Sequence, residues 1–369
     1  MKTVLVYRDR LLPPSEQAFM RRQYMGFRTL RPCWVGCRRD APAPDLPGDV
    51  RFLGGSGPLR PLRQMAFRQF GWGAAREVAD LAPVLVHAQF GRGGALALPI
   101  ARALGVPLVV TFHGGDAFKD RHYAGGFPPS VFQRRWQALQ SHAALFVCVS
   151  EGVRDRLLER GVPARLLEVI PIGAEPAPLA AGPADRFVFA GRFVDKKGVP
   201  VLIDAVRILA GRGVTPPVVL AGDGPLLPAM RDRAAGLANL RFAGWLGAAD
   251  LAAEMDRAIA LLVPSVVPPG GDREGLPSVA VEAMARGVPV VASSQSGLEG
   301  AVGHAGAGIV VPAGDPMALA DAMQAMLVPR TRDAMAGAAA ATARESFCAP
   351  VQSARLEARL LSLLPGATG

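Results

Sequence analysis

Short, almost unbroken apolar runs alternate along the chain with longer segments in which apolar residues recur every three or four positions. Lys2–Tyr7, Val84–His87, Pro107–Phe112 and Ala144–Val149 form a first series of such runs. Phe187–Ala190, Val218–Ala221, Leu240–Ala243, Ile259–Val263, Val288–Ala292 and Gly308–Val311 form a second. Runs that lack polar alternation are the pattern of parallel strands covered on both faces. Between them, Gly93–Leu104, Glu151–Arg160, Val199–Ala210 and Ser278–Arg286 carry helical spacing. Repeated strand–helix units predict doubly wound, Rossmann-like α/β domains. The stretch Ile172–Asp185 is rich in Pro, Ala and Gly, lacks periodicity, and separates the two series; it reads as an interdomain linker. The expected organisation is residues 1–172 as a first domain, 173–185 as linker, 186–345 as a second domain, and 346–369 as a C-terminal helix able to pack back onto the first.

Composition agrees with two cores and narrows the partners. The chain has 369 residues, long for one core, and half of them are hydrophobic. Cys33 and Cys37 make a C-x-x-x-C, but neither a second pair nor a close His completes a metal site, so reduced, partly buried thiols are expected for these and for Cys148 and Cys348. No apolar run reaches the ~18–20 residues of a membrane-spanning helix. The opening Met1–Arg8 reads as a strand and not as a secretory signal, so a cytoplasmic protein is expected. The charge is uneven. Residues 1–175 hold 24 basic and 14 acidic side chains, and Met1–Arg76 alone holds 14 and 5; the remainder is balanced at 17 and 17. A one-sided basic surface attracts an anionic partner, such as a phosphorylated substrate or the anionic face of a membrane; a merely solvated basic surface is the plainer alternative. No zinc-finger spacing or aromatic–basic RNA-binding pattern occurs, so nucleic acid is not an expected partner. Neither a P-loop nor a convincing G-x-G-x-x-G after a strand is present.

The segment Pro264–Ser293 carries the most chemistry. A buried run ends in a Pro/Gly loop, then Glu274-Gly275-Leu276-Pro277-Ser278 leads into a helix. Pro277 suits the first helical turn, where its missing N–H has no partner. Gly275 lets backbone approach a ligand, and the exposed N–H groups of the helix start form a ready anion site. Glu274 precedes that helix and Glu282 lies about one and a half turns inside it. Two carboxylates around a helix start can accept hydrogen bonds from sugar hydroxyls while the N–H groups take phosphate. A helix-start charge and a solvated helix residue are the plain alternative.

Three further segments follow predicted strands. Arg192 and Lys197, in Gly191–Gly198, flank a turn entering a helix, where fixed cations could stabilise a departing diphosphate; Lys196 is the secondary candidate. Gly222-Asp223-Gly224-Pro225 is a tight turn. His113 closes the run Val109–Phe112 at the carboxyl edge of the first sheet, with Gly114, Gly115 and Asp116 just beyond it. His87 ends an earlier run in the same manner. Near the start, Ser15 can cap a helix, and Glu16 is either an acceptor contact or an ordinary early-helix carboxylate.

These segments together resemble family 4 glycosyltransferases, which have the GT-B fold and act with retention. Glu274 and Glu282 form an E-x₇-E pair within EGLPSVAVEAMARGVPVVAS. Gly191-Arg192 with Lys196-Lys197-Gly198, the GDGP turn and TFHGGD match other motifs of that family. VHAQFG matches only in part, because Gln89 stands where a second His is common. Pro13–Phe19 resembles the S-E-T/Q-F variant of exopolysaccharide-biosynthesis members. The resemblance is strong from Phe187 to Pro312, good from Val84 to Pro171 and weak from Phe27 to Leu81. It implies an α/β fold of the GT-B class: two doubly wound Rossmann-like domains facing a central cleft. Arg192, Lys197, Gly222, Gly224, Glu274, Gly275, Leu276, Pro277 and Glu282 would hold a UDP- or GDP-sugar, with Glu274 on the sugar hydroxyls and Glu282 on the ribose. His113, Glu274, Arg192 and Lys197 would serve catalysis; Glu16, His87 and Asp116 would lie on the acceptor side or behind it.

The function so implied is transfer of a hexosyl unit, without metal or other cofactor, to a glycan acceptor. That acceptor is expected to be a lipid-linked oligosaccharide of exopolysaccharide or other cell-surface polysaccharide synthesis, met at the inner membrane face. Two alternatives stay open: a sugar-nucleotide epimerase of the same fold, and a non-catalytic protein that binds sugar or nucleotide.

Overall fold

The computed structural model describes residues 1–11, 14–39 and 46–366. The chain divides into two compact units: Met1–Ile172 with Ala349–Gly369, and Gly173–Cys348. In the first, seven strands, β1 (Lys2–Tyr7), β2 (Leu30–Gly36), β3 (Asp49–Phe52), β4 (Leu85–Gln89), β5 (Leu108–Phe112), β6 (Ala143–Cys148) and β7 (Leu167–Val169), form one parallel sheet. Its order is β3-β2-β1-β4-β5-β6-β7. In the second, β8 (Arg186–Ala190), β9 (Val218–Ala221), β10 (Leu240–Gly244), β11 (Ala258–Val263), β12 (Val290–Ser293) and β13 (Gly308–Val311) form a parallel sheet ordered β10-β9-β8-β11-β12-β13. Each sheet therefore reverses direction once, beside its first strand: between β1 and β4, and between β8 and β11. Ligands of doubly wound sheets bind at the carboxyl ends of strands flanking that reversal.

The apolar runs become strands because helices cover both of their faces. Every residue of β4, β5 and β11 is buried. The first core joins Val4, Val6, Leu85, Val109, Leu145 and Val147 of the sheet to Met20 and Tyr24 of helix α1 (Pro14–Tyr24). Each such aliphatic side chain contributes about 1.5–3 kcal/mol when fully buried. Helix α2 (Arg60–Phe70) lies over one side of this unit, and α3 (Gly91–Leu104) follows β4. In the second unit, α4 (Val199–Gly211) buries Val199, Leu202, Ile203 and Val206 against the sheet, and α5 (Ser278–Ala285) follows β11. The C-terminal α6 (Ala349–Ser362) belongs to the first unit, where Leu356 and Leu360 enter the same core as Met20 and Tyr24. The Glu357 carboxylate accepts hydrogen bonds of 2.7–2.9 Å from the backbone N–H groups of Arg28, Thr29 and Leu30. Ser353 accepts from Gly26 N–H at 2.8 Å.

The structure departs from the expected organisation in several places. The Pro/Ala/Gly stretch read as a linker is pinned to the second unit: Ala174 bridges to Cys348, Ala180 N–H donates to Arg286 O, and Asp185 N–H donates to Arg257 O. Its alanines are small enough for backbone to approach backbone. The strands β2, β3 and β7 were not apparent in the sequence, because Arg31, Pro32, Asp49, Arg51 and Glu168 interrupt their apolar patterns. His87 lies inside β4, which runs on to Gln89, and His113 stands one residue beyond β5. Ser15 is the second residue of α1 and not its cap, and Pro13 falls outside the described residues. Among the described residues, no helix is long and apolar enough to cross a membrane.

Candidate active site

In the second unit, three loops leave the carboxyl edge of the sheet around its reversal point. One follows β8 and carries Gly191–Gly198; one follows β9 and carries Gly222–Pro225; one follows β11 and leads through Glu274 to α5. Backbone hydrogen bonds lace them together: Phe193 N–H to Asp223 O at 2.9 Å, Gly191 N–H to Ala221 O at 3.0 Å, and Val266 N–H to Lys196 O at 2.9 Å. Gly222 has a φ of 138°, and a β-carbon there would stand 1.9 Å from Gly191 O. A side chain would thus force apart the first two loops, and only glycine adopts this backbone without strain. The tight turn seen in the sequence therefore sets the spacing of the site. Gly224 lies against Phe193 in the same packing.

The lacing brings Lys196 and Lys197 to Glu274, about eighty residues on. Lys197 Nζ donates to Glu274 Oε2 at 3.2 Å, and Lys196 Nζ lies 3.3 Å from Oε1 and 3.4 Å from Asp272 Oδ1. The carboxylate is buried. Burial works to raise its pKa, but the ammonium groups of Lys197 and Lys196 outweigh it and hold the carboxyl below its ordinary value. Burial likewise works to lower Lys196, and Glu274 and Asp272 reverse it, so Lys196 is held above its ordinary value. Glu274 Oε1 has no aligned hydrogen bond, so the ion pair leaves it acceptor capacity. The candidate Lys197 and the secondary candidate Lys196 thus both meet the same carboxylate.

Arg192 is exposed and makes no ion pair among the described residues, unlike the two lysines beside it. Gly275 and Pro277 are buried, and Leu276 is half-buried. Pro277 occupies the N-cap of α5 and not its first turn, and no side chain caps this helix. Glu282 lies half-buried in the middle of α5. Trp245, directly after β10 and 68% exposed, escaped the sequence reading; its signal would have been an aromatic placed at a strand's carboxyl end.

In the first unit, His87 and His113 also gather at the reversal point, within a chain of neutral groups. His113 Nε2 meets Gln89 Oε1 at 2.8 Å, and Gln89 Nε2 donates to the Tyr24 hydroxyl at 2.5 Å. The Tyr24 hydroxyl lies 2.7 Å from His87 Nδ1, and His87 Nε2 lies 2.7 Å from Thr111 Oγ1. With the Gln89 amide so placed, its oxygen accepts from His113 Nε2–H, and His113 Nδ1 carries the free lone pair. Burial pushes His87 down to about 3; burial, then Arg8 and His87, push His113 down to about 3. Both imidazoles are neutral at pH 7. Asp116 is a positioning group: it accepts from the backbone N–H of Gly91, His113 and Gly114 at 2.9–3.0 Å. Burial raises its pKa against the pull of those N–H groups.

Glu16 is held by Arg8 through two hydrogen bonds of 2.7 and 2.9 Å. The Arg8 guanidinium lies 4.2 Å over the Phe90 ring, whose centroid is 4.4 Å from that of His113. Phe90 adopts φ 66° and ψ 150°, a conformation costing about 1–3 kcal/mol outside glycine. Arg8, Tyr24 and Phe90 were not singled out in the sequence, and Gln89 stood out only as a departure from a motif. Arg8 and Phe90 directly follow β1 and β4, which was the available signal; Tyr24 had none.

Comparison with known proteins places this arrangement. A family model described as Glycosyltransferase Family 4 matches residues 31–177, and one described as Glycosyl transferases group 1 matches residues 184–328. The chain is 31% identical over 247 residues to the amylovoran biosynthesis glycosyltransferase AmsK of Erwinia amylovora, covering 64% of this chain and 59% of that protein. It is 29% identical over 297 residues, 75% of each chain, to a GDP-mannose-dependent alpha-(1-6)-phosphatidylinositol monomannoside mannosyltransferase of Mycobacterium tuberculosis. The chain thus spans about three fifths of the length of its exopolysaccharide relatives. Among solved structures, Anabaena Alr3699/HepE in complex with UDP and glucose superposes with a TM-score of 0.77 at 20% identity, covering 98% of this chain and 100% of that one. That likeness shows the fold, two Rossmann-like parallel-sheet units of the GT-B class. With one family model on each unit and related glycosyltransferases matching across much of the chain, the protein belongs to the family 4 glycosyltransferases.

Proposed function

We propose that this chain transfers a hexosyl unit, with retention at the anomeric carbon, from a UDP- or GDP-sugar to a glycan acceptor. The observation that carries the reading is the buried Glu274 carboxylate held between Lys196 and Lys197 at the reversal point of the second sheet, with Arg192, which makes no ion pair among the described residues, on the loop that carries the lysines. A sugar nucleotide needs this combination. Its hydroxyls are held by a fixed carboxylate acceptor, and its diphosphate gathers charge as the glycosidic bond breaks. Arg192 offers that diphosphate a bidentate contact, and the lysines add charge already fixed in place. The uncapped start of α5 adds backbone N–H groups, and Glu282 is assigned to the ribose. Neutral His113 is the first unit's candidate for a hydrogen bond to a sugar hydroxyl.

AmsK, named for amylovoran biosynthesis, and the phosphatidylinositol monomannoside mannosyltransferase support an acceptor that is a lipid-linked oligosaccharide of cell-surface polysaccharide synthesis. UDP in the Anabaena complex and GDP-mannose in the mycobacterial name support the two donor bases. The chain would then work in the cytoplasm at the inner membrane face.

Thermal melting with UDP, GDP, ADP and TDP and their sugar conjugates tests the donor assignment. A rise with one diphosphate, lost in Arg192→Ala and Glu282→Ala, supports it. Absence of any rise in the folded protein overturns it in favour of a protein that binds glycan alone. Incubation of the bound sugar nucleotide without acceptor separates transfer from epimerisation, which alone would yield an isomerised donor.

A further inference from the structure

Helix α2 and the turn after it present an unusual surface. The helix buries Gln64 and Phe67 on one side. Its opposite side carries Leu62, Met65 and Phe70, with Leu59 just before it, and each of the four is more than half exposed. Two residues on, Trp72 is 68% exposed and stacks on Phe70, with ring centroids 4.8 Å apart and planes 28° apart. Gly71, at φ 84°, makes the turn between them, and a β-carbon there would stand 2.4 Å from Pro99. The two aromatic rings are therefore held outward by a turn packed onto α3. A surface helix of a globular protein ordinarily turns its apolar side inward and its charged side to water. A contiguous exposed apolar face marks an interaction site.

The charge around this face identifies the occupant. Residues 59–76 contain Arg60, Arg63, Arg68 and Arg76 and no acidic residue. Arg68 is paired with Asp9, and Arg60 bonds the Cys37 carbonyl. Arg63 and Arg76 are exposed and have no acidic partner among the described residues. Arg134, also exposed, bonds the Gln69 side chain next to Phe70. Exposed aromatic and aliphatic side chains with unpaired guanidinium groups among them suit a lipid–water boundary. There the rings sit at headgroup depth and the cations meet lipid phosphates. A second copy of the chain is disfavoured, because a two-fold contact would set these arginines against their own copies.

We propose that the exposed face of α2, with the Phe70–Trp72 turn, docks this chain on an anionic bilayer surface, Phe70 and Trp72 entering the headgroup layer and Arg63 and Arg76 engaging lipid phosphate. The proposal rests on the lipid-linked acceptor reading only for its purpose. It is read without donor or acceptor, so the two fail separately. The full chain is co-sedimented with vesicles of equal phosphatidylglycerol and phosphatidylcholine, and with vesicles of phosphatidylcholine alone. Binding to the anionic vesicles is expected, about ten-fold or more stronger than to the neutral ones and weakened by salt. The double variants F70S/W72S and R63E/R76E should each reduce it by about ten-fold, with melting temperature and nucleotide-induced melting shift unchanged. Failure of the wild-type chain to bind overturns the proposal, as does equal binding to both vesicles or binding indifferent to both variants. A lipid-free dimer in sedimentation velocity that F70S/W72S dissolves also overturns it, and assigns the face to self-association.

Discussion

The two sheets reach their reversal points with opposite solutions to burying polar groups. In the second unit, Glu274, Asp272, Lys196 and Lys197 are charged and cancel one another. In the first, His113, Gln89, Tyr24, His87 and Thr111 stay neutral and pass hydrogen bonds along a chain. Under the function proposed above, the difference follows from what each would meet. A diphosphate brings charge of its own, so a compensated cluster, with Arg192 unpaired among the described residues, can rearrange around it. A sugar hydroxyl brings none, and a buried cation there would lack a partner. The charged solution makes each member depend on its neighbours, because removing one leaves a buried charge uncompensated. The neutral one spreads the cost along its chain.

The most disruptive test of this contrast is Glu274→Gln. It leaves two ammonium groups facing an amide and should cost about 3 kcal/mol in denaturant unfolding. Sugar transfer should fall about a hundredfold or more. A stability loss below that of a single neutral hydrogen bond would break the contrast. Next comes pH. His87 and His113 have folded-state pKa values of about 3, below the ordinary 6.5. Below about pH 6.5 the unfolded chain takes up protons that the folded chain refuses, so stability is full above that range and falls as pH drops toward about 3. Glu274, held low by its lysines, adds a loss on further acidification. Urea midpoints from pH 7 to pH 4 should decline in the wild type and more shallowly in His87→Gln.

A smaller effect is expected from Tyr24→Phe, which removes the hydroxyl joining Gln89 to His87. Unfolding free energy should drop by about 1–3 kcal/mol, with the nucleotide-induced melting shift intact. Smallest for stability is Arg192→Ala, expected within about 0.5 kcal/mol of wild type because that exposed side chain makes no ion pair among the described residues. Its affinity for the cognate diphosphate should nevertheless fall about tenfold by calorimetry, as a charge-assisted contact is lost. A destabilised Arg192→Ala would instead make the arginine structural.

Three members of the charged cluster were legible in the sequence because they lie in short motifs beside apolar strands, Lys196 and Lys197 after β8 and Glu274 between β11 and α5, whereas Asp272 in the Pro/Gly loop was not singled out. The neutral chain was half legible. His87, His113 and Asp116 stood out by residue type and position. Tyr24, in the middle of an ordinary amphipathic helix, did not, nor did Gln89, which only appeared as a departure from a motif. The strands β2 and β3, rich in charge and proline, were missed where the sequence also resembles its family least.

By itself the sequence determined that two parallel α/β units would form, since unbroken apolar runs can be buried only between two layers of helices. It also marked which loops would gather glycine and charge, because the carboxyl ends of such strands are where both can face solvent. The tertiary structure alone decided the pairings. Glu274 met both lysines because Val266 N–H bonds Lys196 O and Gly198, lacking a side chain, lets the lysine loop close on Pro264. α6 joined the first unit because Glu357 satisfies three N–H groups more than 300 residues earlier in the chain. The apolar face of α2 turned outward because Gln64 and Phe67 took the inward one. Contacts of this kind depend on which backbone groups are left unsatisfied once the sheets have formed, and a local pattern does not record that.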